Sequence, residues 1–327
     1  MSLDADLIVD RRRMRRKLTF WRVLAVLIAI VAIVGVAASL TRRGATMTAG
    51  GDYIARVKIN GLIRNDQDRV ESLEKLAKAR SAKAVVVHID SPGGTTAGSE
   101  QLHNALKGLA AAKPIVVVVD GLAASGGYIA AMSADHIVAQ ETSLVGSIGV
   151  LFQYPNFSDA LKTIGVKVEE IKSSPLKAAP NGFEPTSPEA RAAIEALVKD
   201  SYAWFRGMVK ERRKMDDATL EAVTDGRVFT GRQGVGLKLI DELGNERTAV
   251  AWLAKEKGIK EDTPVKDWEL KPRFSDLTIL HLTAAVALEA VGASTLAQRV
   301  EAWGSLRAVE KLNLDGLLAL WHPSLGS

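Results

Sequence analysis

The fold can be read outward from Ile115-Val116-Val117-Val118-Val119-Asp120-Gly121-Leu122-Ala123-Ala124-Ser125-Gly126-Gly127-Tyr128. Five consecutive β-branched apolar residues form a run that suits a strand buried on both faces, as in a parallel sheet. Asp120-Gly121 ends that run, and the small residues 128–134 read as a helix. Ser125 therefore falls on a tight strand-to-helix turn whose glycines let backbone approach a ligand. A nucleophilic serine needs such a setting: an exposed hydroxyl, neighbouring backbone N–H groups and a helix N-terminus behind it. A serine there can equally be a helix N-cap. The turn alone leaves both readings open.

On either side of the turn, strand and helix signals alternate. Residues 53–63 alternate as a strand, residues 66–80 show helical spacing through Val70, Leu73 and Leu76, and residues 84–89 form a second buried strand. That strand runs into Asp90-Ser91-Pro92-Gly93-Gly94, after which residues 96–112 are helical up to the break at Lys113-Pro114. Short connections between such elements predict parallel βαβ units and an α/β fold. Chemistry in these sheets gathers at the carboxyl ends of the strands, where both glycine-rich turns lie. Further on, residues 136–139 read as a short strand, 143–150 as a Gly/Ser-rich loop and 158–164 as a helix. Residues 166–171 alternate like a half-exposed strand, and 173–185 form a loop with three prolines and Lys177. Residues 188–214 make a long amphipathic helix, 226–233 a turn into a helix, 239–244 a strand and 245–257 a helix.

Composition is globular, with 47% hydrophobic and 25% charged residues, and there is no cysteine for a disulfide or thiolate site. The net charge of +5 is local: residues 1–22 carry +4, Arg42 and Arg43 add two, and the remainder sums to −1. A nucleic-acid partner loses its support. Residues 23–40 hold no charge and, as a helix, span about 27 Å, close to the bilayer hydrocarbon thickness. A cleaved signal peptide would have a shorter apolar core. These features predict a basic cytoplasmic tail (1–22), a transmembrane anchor (23–40), a linker (41–52), a catalytic domain (53–270) and a helical tail (271–327). The basic cluster on the amino side keeps that end cytoplasmic, and the domain lies outside the bacterial cell membrane, in the periplasm of a diderm. Within the tail, residues 277–291 are too short and too interrupted to span and read as an amphipathic helix.

A serine nucleophile needs a base. His88 sits in an apolar strand and reads as a structural histidine, and His103, His136, His281 and His322 read as surface positions without an acid in a recognisable arrangement. Lysine is the other option if it can be held neutral. Lys177 stands among Leu, Ala and Pro with no acid within six residues, unlike Lys162, Lys167 and its nearest rival Lys172. A snorkelling surface lysine is the competing reading. No His/Asp/Glu cluster has metal-ligand spacing, and Gly93-Gly94 fits no phosphate or dinucleotide loop, so neither metal nor cofactor is expected.

Taken together, Asp90-Ser91-Pro92-Gly93-Gly94, Ala124-Ser125-Gly126-Gly127-Tyr128, Gly146-Ser147-Ile148-Gly149-Val150, Lys177 and Gly226-Arg227-Val228-Phe229-Thr230-Gly231 resemble the bacterial signal peptide peptidase A family in its short, single-repeat form. The resemblance covers roughly residues 53–257. It implies a ClpP/crotonase-like superhelix of βαβ units, Ser125 as nucleophile, Lys177 as general base and Ser147 orienting the lysine. It also implies an oxyanion hole from the backbone N–H groups of Gly94 and Gly126. A homo-oligomer with the lysine supplied across a subunit interface follows from the same resemblance, as does a role in degrading cleaved signal peptides. The sequence departs from the family at Asp90, often Asn there, and at Ser173-Ser174-Pro175-Leu176, where a Gly and an aromatic are usual. A crotonase-like enzyme acting on acyl-CoA and an inactive membrane scaffold are the alternative readings.

Overall fold

Strand and helix alternate along the second of the chain's two compact units, Asp52–Ser327, the first being Met1–Gly51. The computed structural model describes residues 51–270 and 317–321, with Trp21. In order, the elements are β1 (Tyr53–Asn60), α1 (Gln67–Lys78), β2 (Ala82–Ser91), β3 (Gly93–Thr95), α2 (Thr96–Ala112), β4 (Ile115–Ala124), α3 (Gly126–Ala131) and β5 (His136–Ala139). They continue as β6 (Leu144–Gly146), β7 (Leu151–Phe152), α4 (Ser158–Thr163), α5 (Pro188–Arg213), α6 (Asp217–Val223) and β8 (Val228–Thr230). The last are α7 (Gly231–Gly236), β9 (Glu242–Leu243), α8 (Glu246–Lys257), β10 (Val265–Asp267) and β11 (Leu317–Leu320).

The main sheet runs β10-β1-β2-β4-β5-β9, with every neighbouring pair parallel. The expected α/β class is what the structure shows. Alternation along the central strands explains how it is covered. Val85, Val87, Val117 and Val119 face a large apolar cluster with Leu73 and Leu76 of α1 and Leu102, Leu106 and Leu109 of α2. The intervening Val86, Val116 and Val118 face Ala249 and Leu253 of α8 on the other side. A strand buried on both faces needs apolar residues at every position, and each fully buried Val or Leu contributes ~1.5–3 kcal/mol. The covering helices start where the sequence offers caps: Thr95 Oγ1 accepts from the Gly98 N–H at 3.1 Å. Asn245 and Thr248 form a reciprocal box at α8, which stops at Gly258 with φ 66°.

The central strand β4 changes partners along its length. Val116–Val119 pair with β5, whereas Leu122–Ala124 pair with β6. The switch falls at Asp120-Gly121, where a Cβ on Gly121 would stand 3.1 Å from Asp90 Oδ1. Through β6 the sheet extends to β8, the one antiparallel pairing in it among the described residues. A second, three-stranded sheet has the order β3-β11-β7.

Four expectations are corrected. The 143–150 loop contains β6, and only Glu242 and Leu243 of the strand expected over 239–244 pair. Residues 166–171 form no strand: Val166, Val168 and Ile171 are exposed, so the alternation has no surface to bury against. The tail expected to be helical contributes β11, because two open strand edges accept it. Among the described residues no helix is long and apolar enough to cross a membrane. The predicted span over 23–40 and the amphipathic helix over 277–291 lie outside the described residues.

Candidate active site

Ser125 joins β4 to α3 with φ 53° and ψ −115°, a left-handed conformation that costs an L-residue of order 1–3 kcal/mol. Backbone hydrogen bonds pin it on both sides. Its N–H donates to the Gly146 carbonyl at 2.8 Å, and its carbonyl accepts from Tyr128 and Ile129 at 2.9 and 3.0 Å. Tyr128 anchors the helix behind it, donating its buried hydroxyl to the Leu239 carbonyl at 2.7 Å. The following glycines are obligatory. A Cβ on Gly126 would lie 2.1 Å from Ser99 Oγ, and one on Gly127 would lie 2.6 Å from the Ser91 carbonyl oxygen. Although Ser125 occupies the N-cap position, its side chain caps nothing. Its Oγ is buried and has no hydrogen-bond partner. The helix-cap reading is thereby removed, and a strained, unpaired hydroxyl remains at the end of the central strand.

The second glycine turn packs against this one. Gly93 has φ 100°, and a Cβ there would come within 2.7 Å of the Gly126 nitrogen. A Cβ on Gly94 would overlap the Ile63 carbonyl oxygen at 1.7 Å. Ser91 holds the turn, donating its hydroxyl to the Gly61 carbonyl at 2.7 Å and accepting from the Gly93 N–H at 3.1 Å. The predicted pair Gly94 and Gly126 is thus assembled from β3 and the start of α3, beside Ser125.

Ser147 follows directly on Gly146, the residue whose carbonyl fixes Ser125. It also has positive φ, 51°, and its N–H donates to the Arg227 carbonyl at 2.8 Å. It lines a cleft of about 420 Å³ with Ile148, Val150, Tyr202, Lys199 and Leu320. Sequence reasoning missed Lys199, which is helical and spaced like any solvated lysine. Its side chain is 79% exposed and lies 3.9 Å from Glu195 on the same helix.

Lys177 lies on the arm between β7 and α5, exposed, with its backbone N–H donating to the Ser174 carbonyl at 3.1 Å. The other arm lysines are paired: Lys162 with Asp159, Lys167 with Glu169, and Lys172 with Glu170 and Glu184 at 2.6 and 2.5 Å. Hydrogen bonds donated to Glu170 and then Glu184 raise the Lys172 pKa, which keeps this rival protonated and so unavailable to take a proton. Among the described residues Lys177 has no side-chain partner, and it does not bond Ser125 within one chain. The arm exposes Phe157, Ile164, Val166, Val168, Leu176 and Phe183.

The histidines serve the scaffold. His88 bridges Asp120 and Glu246, with Nδ1 at 2.9 Å and Nε2 at 2.8 Å, and Glu246 also bonds Arg56. His103, expected at the surface, is buried under α3 and donates Nδ1–H to the Ile129 carbonyl at 2.8 Å, its pKa lowered by burial. His136, also expected there, is half-buried, stacks on Trp252 at 4.6 Å and bonds Glu242. None of these three meets Ser125, and His281 and His322 lie outside the described residues. Among the described residues no group of three or more His, Asp or Glu could hold a metal ion.

Comparison with known proteins agrees with this geometry. The Peptidase family S49 model matches residues 107–260, and the Clp protease model matches residues 58–143. A Synechocystis sp. chain named as a candidate protease is 34% identical over 210 residues, covering 64% of this chain and 76% of its own length. A candidate signal peptide peptidase SppA of Enterococcus faecium is 30% identical over 235 residues, 67% of each chain. Protease 4 of Haemophilus influenzae is 29% identical over 224 residues, 68% of this chain but only 34% of that longer one. The parallel sheet with its two glycine turns, and relatives matched over most of their length, place this chain in peptidase family S49 as a serine peptidase.

Proposed function

We propose that the protein is a membrane-anchored endopeptidase with a Ser125/Lys177 dyad that degrades cleaved signal peptides and similar apolar segments outside the cytoplasmic membrane. The observation that carries this is Ser125: strained, pinned through its backbone, with an unpartnered hydroxyl on a turn that packs against Gly93-Gly94. Ser125 Oγ attacks the peptide carbonyl carbon while Lys177 Nζ takes the hydroxyl proton. The oxyanion faces the N–H groups of Gly94 and Gly126; losing one such donor typically costs ~10²–10³ in rate. Collapse breaks the C–N bond, the leaving amine takes the proton from Lys177, and water then hydrolyses the acyl-serine by the same path. Ser147 holds the lysine amine.

A lysine acts as base only when neutral, which requires removal from water. The exposed apolar side chains of the arm supply a reason for burial against a second copy of the chain, so the working form is a homo-oligomer in which Lys177 reaches a neighbour's Ser125. The name of the Enterococcus faecium relative points to signal peptides, and residues 23–40 would hold the enzyme beside them.

Cleavage of a signal peptide and of casein by wild type, Ser125→Ala and Lys177→Ala tests the dyad. Both variants lose at least ~10³-fold in rate, and mixing the two restores part of the activity by pairing an intact serine with an intact neighbouring lysine. Wild-type rates in either variant refute the assignment. CoA binding would favour the acyl-CoA alternative.

A further inference from the structure

Phe205, Val209 and Arg212 are spaced i, i+4 and i+7 along α5 and share one face of that helix. Phe205 and Val209 are fully buried in the core, so the face that carries them brings Arg212 against α3. Its guanidinium bridges the far end of that helix: Nε donates to the Met132 carbonyl at 2.7 Å, and Nη2 donates to the Ala134 carbonyl. The last carbonyls of a helix have no partner within it and favour a cationic donor. Arg213 reaches the same helix one step removed. Its Nε donates to the Lys238 carbonyl at 2.5 Å and its Nη2 to Asp241 Oδ1 at 2.7 Å. Those bonds fix the segment whose Leu239 carbonyl receives the Tyr128 hydroxyl.

With six residues, α3 has fewer than two turns, and a helix that short has little stability of its own. What it is anchored to therefore sets its place. At its amino end Ser125 keeps a conformation that persists only where the surroundings over-determine it. Three anchors lie along its length: the Ser125 N–H on the Gly146 carbonyl, the Tyr128 hydroxyl on Leu239, and His103 on the Ile129 carbonyl. Arg212 supplies the anchor at the far end. Helix carbonyls point along the axis, so a bond to Met132 opposes sliding of α3 along its own length. We propose that Arg212 is a positioning residue for acylation: by gripping the carboxyl end of α3 it sets where Ser125 Oγ meets the peptide carbonyl. This rests on the reading of Ser125 as nucleophile. A displacement on the order of 1 Å at a reacting atom costs ~10²-fold in rate. Because Arg212 acts through α3, the loss falls on kcat rather than on KM.

The test compares full-length wild type, Arg212→Met and Arg212→Lys on an internally quenched peptide spanning the apolar core of a signal peptide. Active sites are counted with a serine-phosphonylating reagent, so that turnover is expressed per labelled Ser125. Arg212→Met keeps an unbranched apolar stem and removes both hydrogen bonds. Its kcat per labelled site should fall ~10–100-fold with KM within about twofold, and phosphonylation of Ser125 should slow in parallel. Arg212→Lys, a point donor in place of a fork, should lie between. Lys210→Met, on the same helix and paired with Asp217 at the surface, should behave as wild type. A merely structural role gives fewer labelled sites and a lower melting temperature with wild-type kcat per site. That outcome, a rise in KM at unchanged kcat, or an equal loss of kcat in Lys210→Met would overturn the proposal. Should Arg212→Met not fold, wild-type kcat per site in Arg212→Lys overturns it instead. Equal hydrolysis by wild type and Ser125→Ala sinks the nucleophile assignment. Hydrolysis that depends on Ser125, with wild-type kcat in Arg212→Met, sinks the positioning role alone.

Discussion

Replacing Ser125 by alanine should destroy the activity and raise the stability. The hydroxyl is buried without a hydrogen-bond partner, and an unsatisfied buried polar group costs about 1–3 kcal/mol. Alanine keeps the same backbone preferences and removes the hydroxyl, so the expected gain is about 1 kcal/mol. Glycine also relieves the φ of 53°, worth another ~1 kcal/mol, offset in part by the entropy glycine loses on folding. For a domain of this size 1 kcal/mol moves the melting temperature by roughly 2–4 °C. Thermal and urea unfolding of the wild type, Ser125→Ala and Ser125→Gly should therefore rank alanine above wild type, with peptidase activity absent from both variants. A helix cap behaves oppositely: losing it destabilises by about 1 kcal/mol. A Ser125→Ala protein that melts below wild type would show that the hydroxyl makes a stabilising bond, and the nucleophile argument would lose its physical basis.

Other perturbations separate the parts of the site. Gly94→Ala places a methyl 1.7 Å from the Ile63 backbone and should lower stability by more than ~3 kcal/mol, whereas Gly108→Ala, open on all sides, should be neutral or slightly stabilising in denaturant titrations. Lys172→Ala should keep peptidase activity within a few-fold, since that amine is committed to Glu170 and Glu184, while Lys177→Ala loses it. Glu246 is held below its usual 4.5 first by hydrogen bonds from Arg56 and then by His88, against the opposing effect of partial burial. A depressed carboxylate contributes stability that is complete above the unfolded value and is lost as pH falls through the folded one. Wild type should thus lose more stability than Glu246→Gln between pH 6 and 3, read from urea midpoints.

Much of the scaffold was legible because local signals and burial agree. The helix Thr96–Ala112 and the strand His136–Ala139 have the bounds their periodicity predicts. The strand through Ile115 runs past Val119 to Ala124 because Leu122–Ala124 find a partner in β6, some twenty residues downstream. Nothing in the local pattern encodes that pairing. The alternation over 166–171 misleads for the converse reason, since a strand needs an edge to pair with and the described residues offer none there. The two glycine turns were legible because close backbone packing, as at Gly94 and Gly126, restricts the residue types. The pairing of β11 depends on two edges far apart in sequence, and so could not be read from the tail. Lys177 could be singled out by its lack of acidic neighbours, and within one chain it does not bond Ser125.

The central claim is that Ser125 is the nucleophile, and covalent labelling tests it most directly. The full-length protein is treated with a serine-acylating or phosphonylating reagent, and the modified residue is located by peptide mass spectrometry. One adduct per chain on Ser125, absent from Ser125→Ala and suppressed in Lys177→Ala, is the predicted result. An adduct on another serine, or equal labelling of Ser125→Ala, would contradict it.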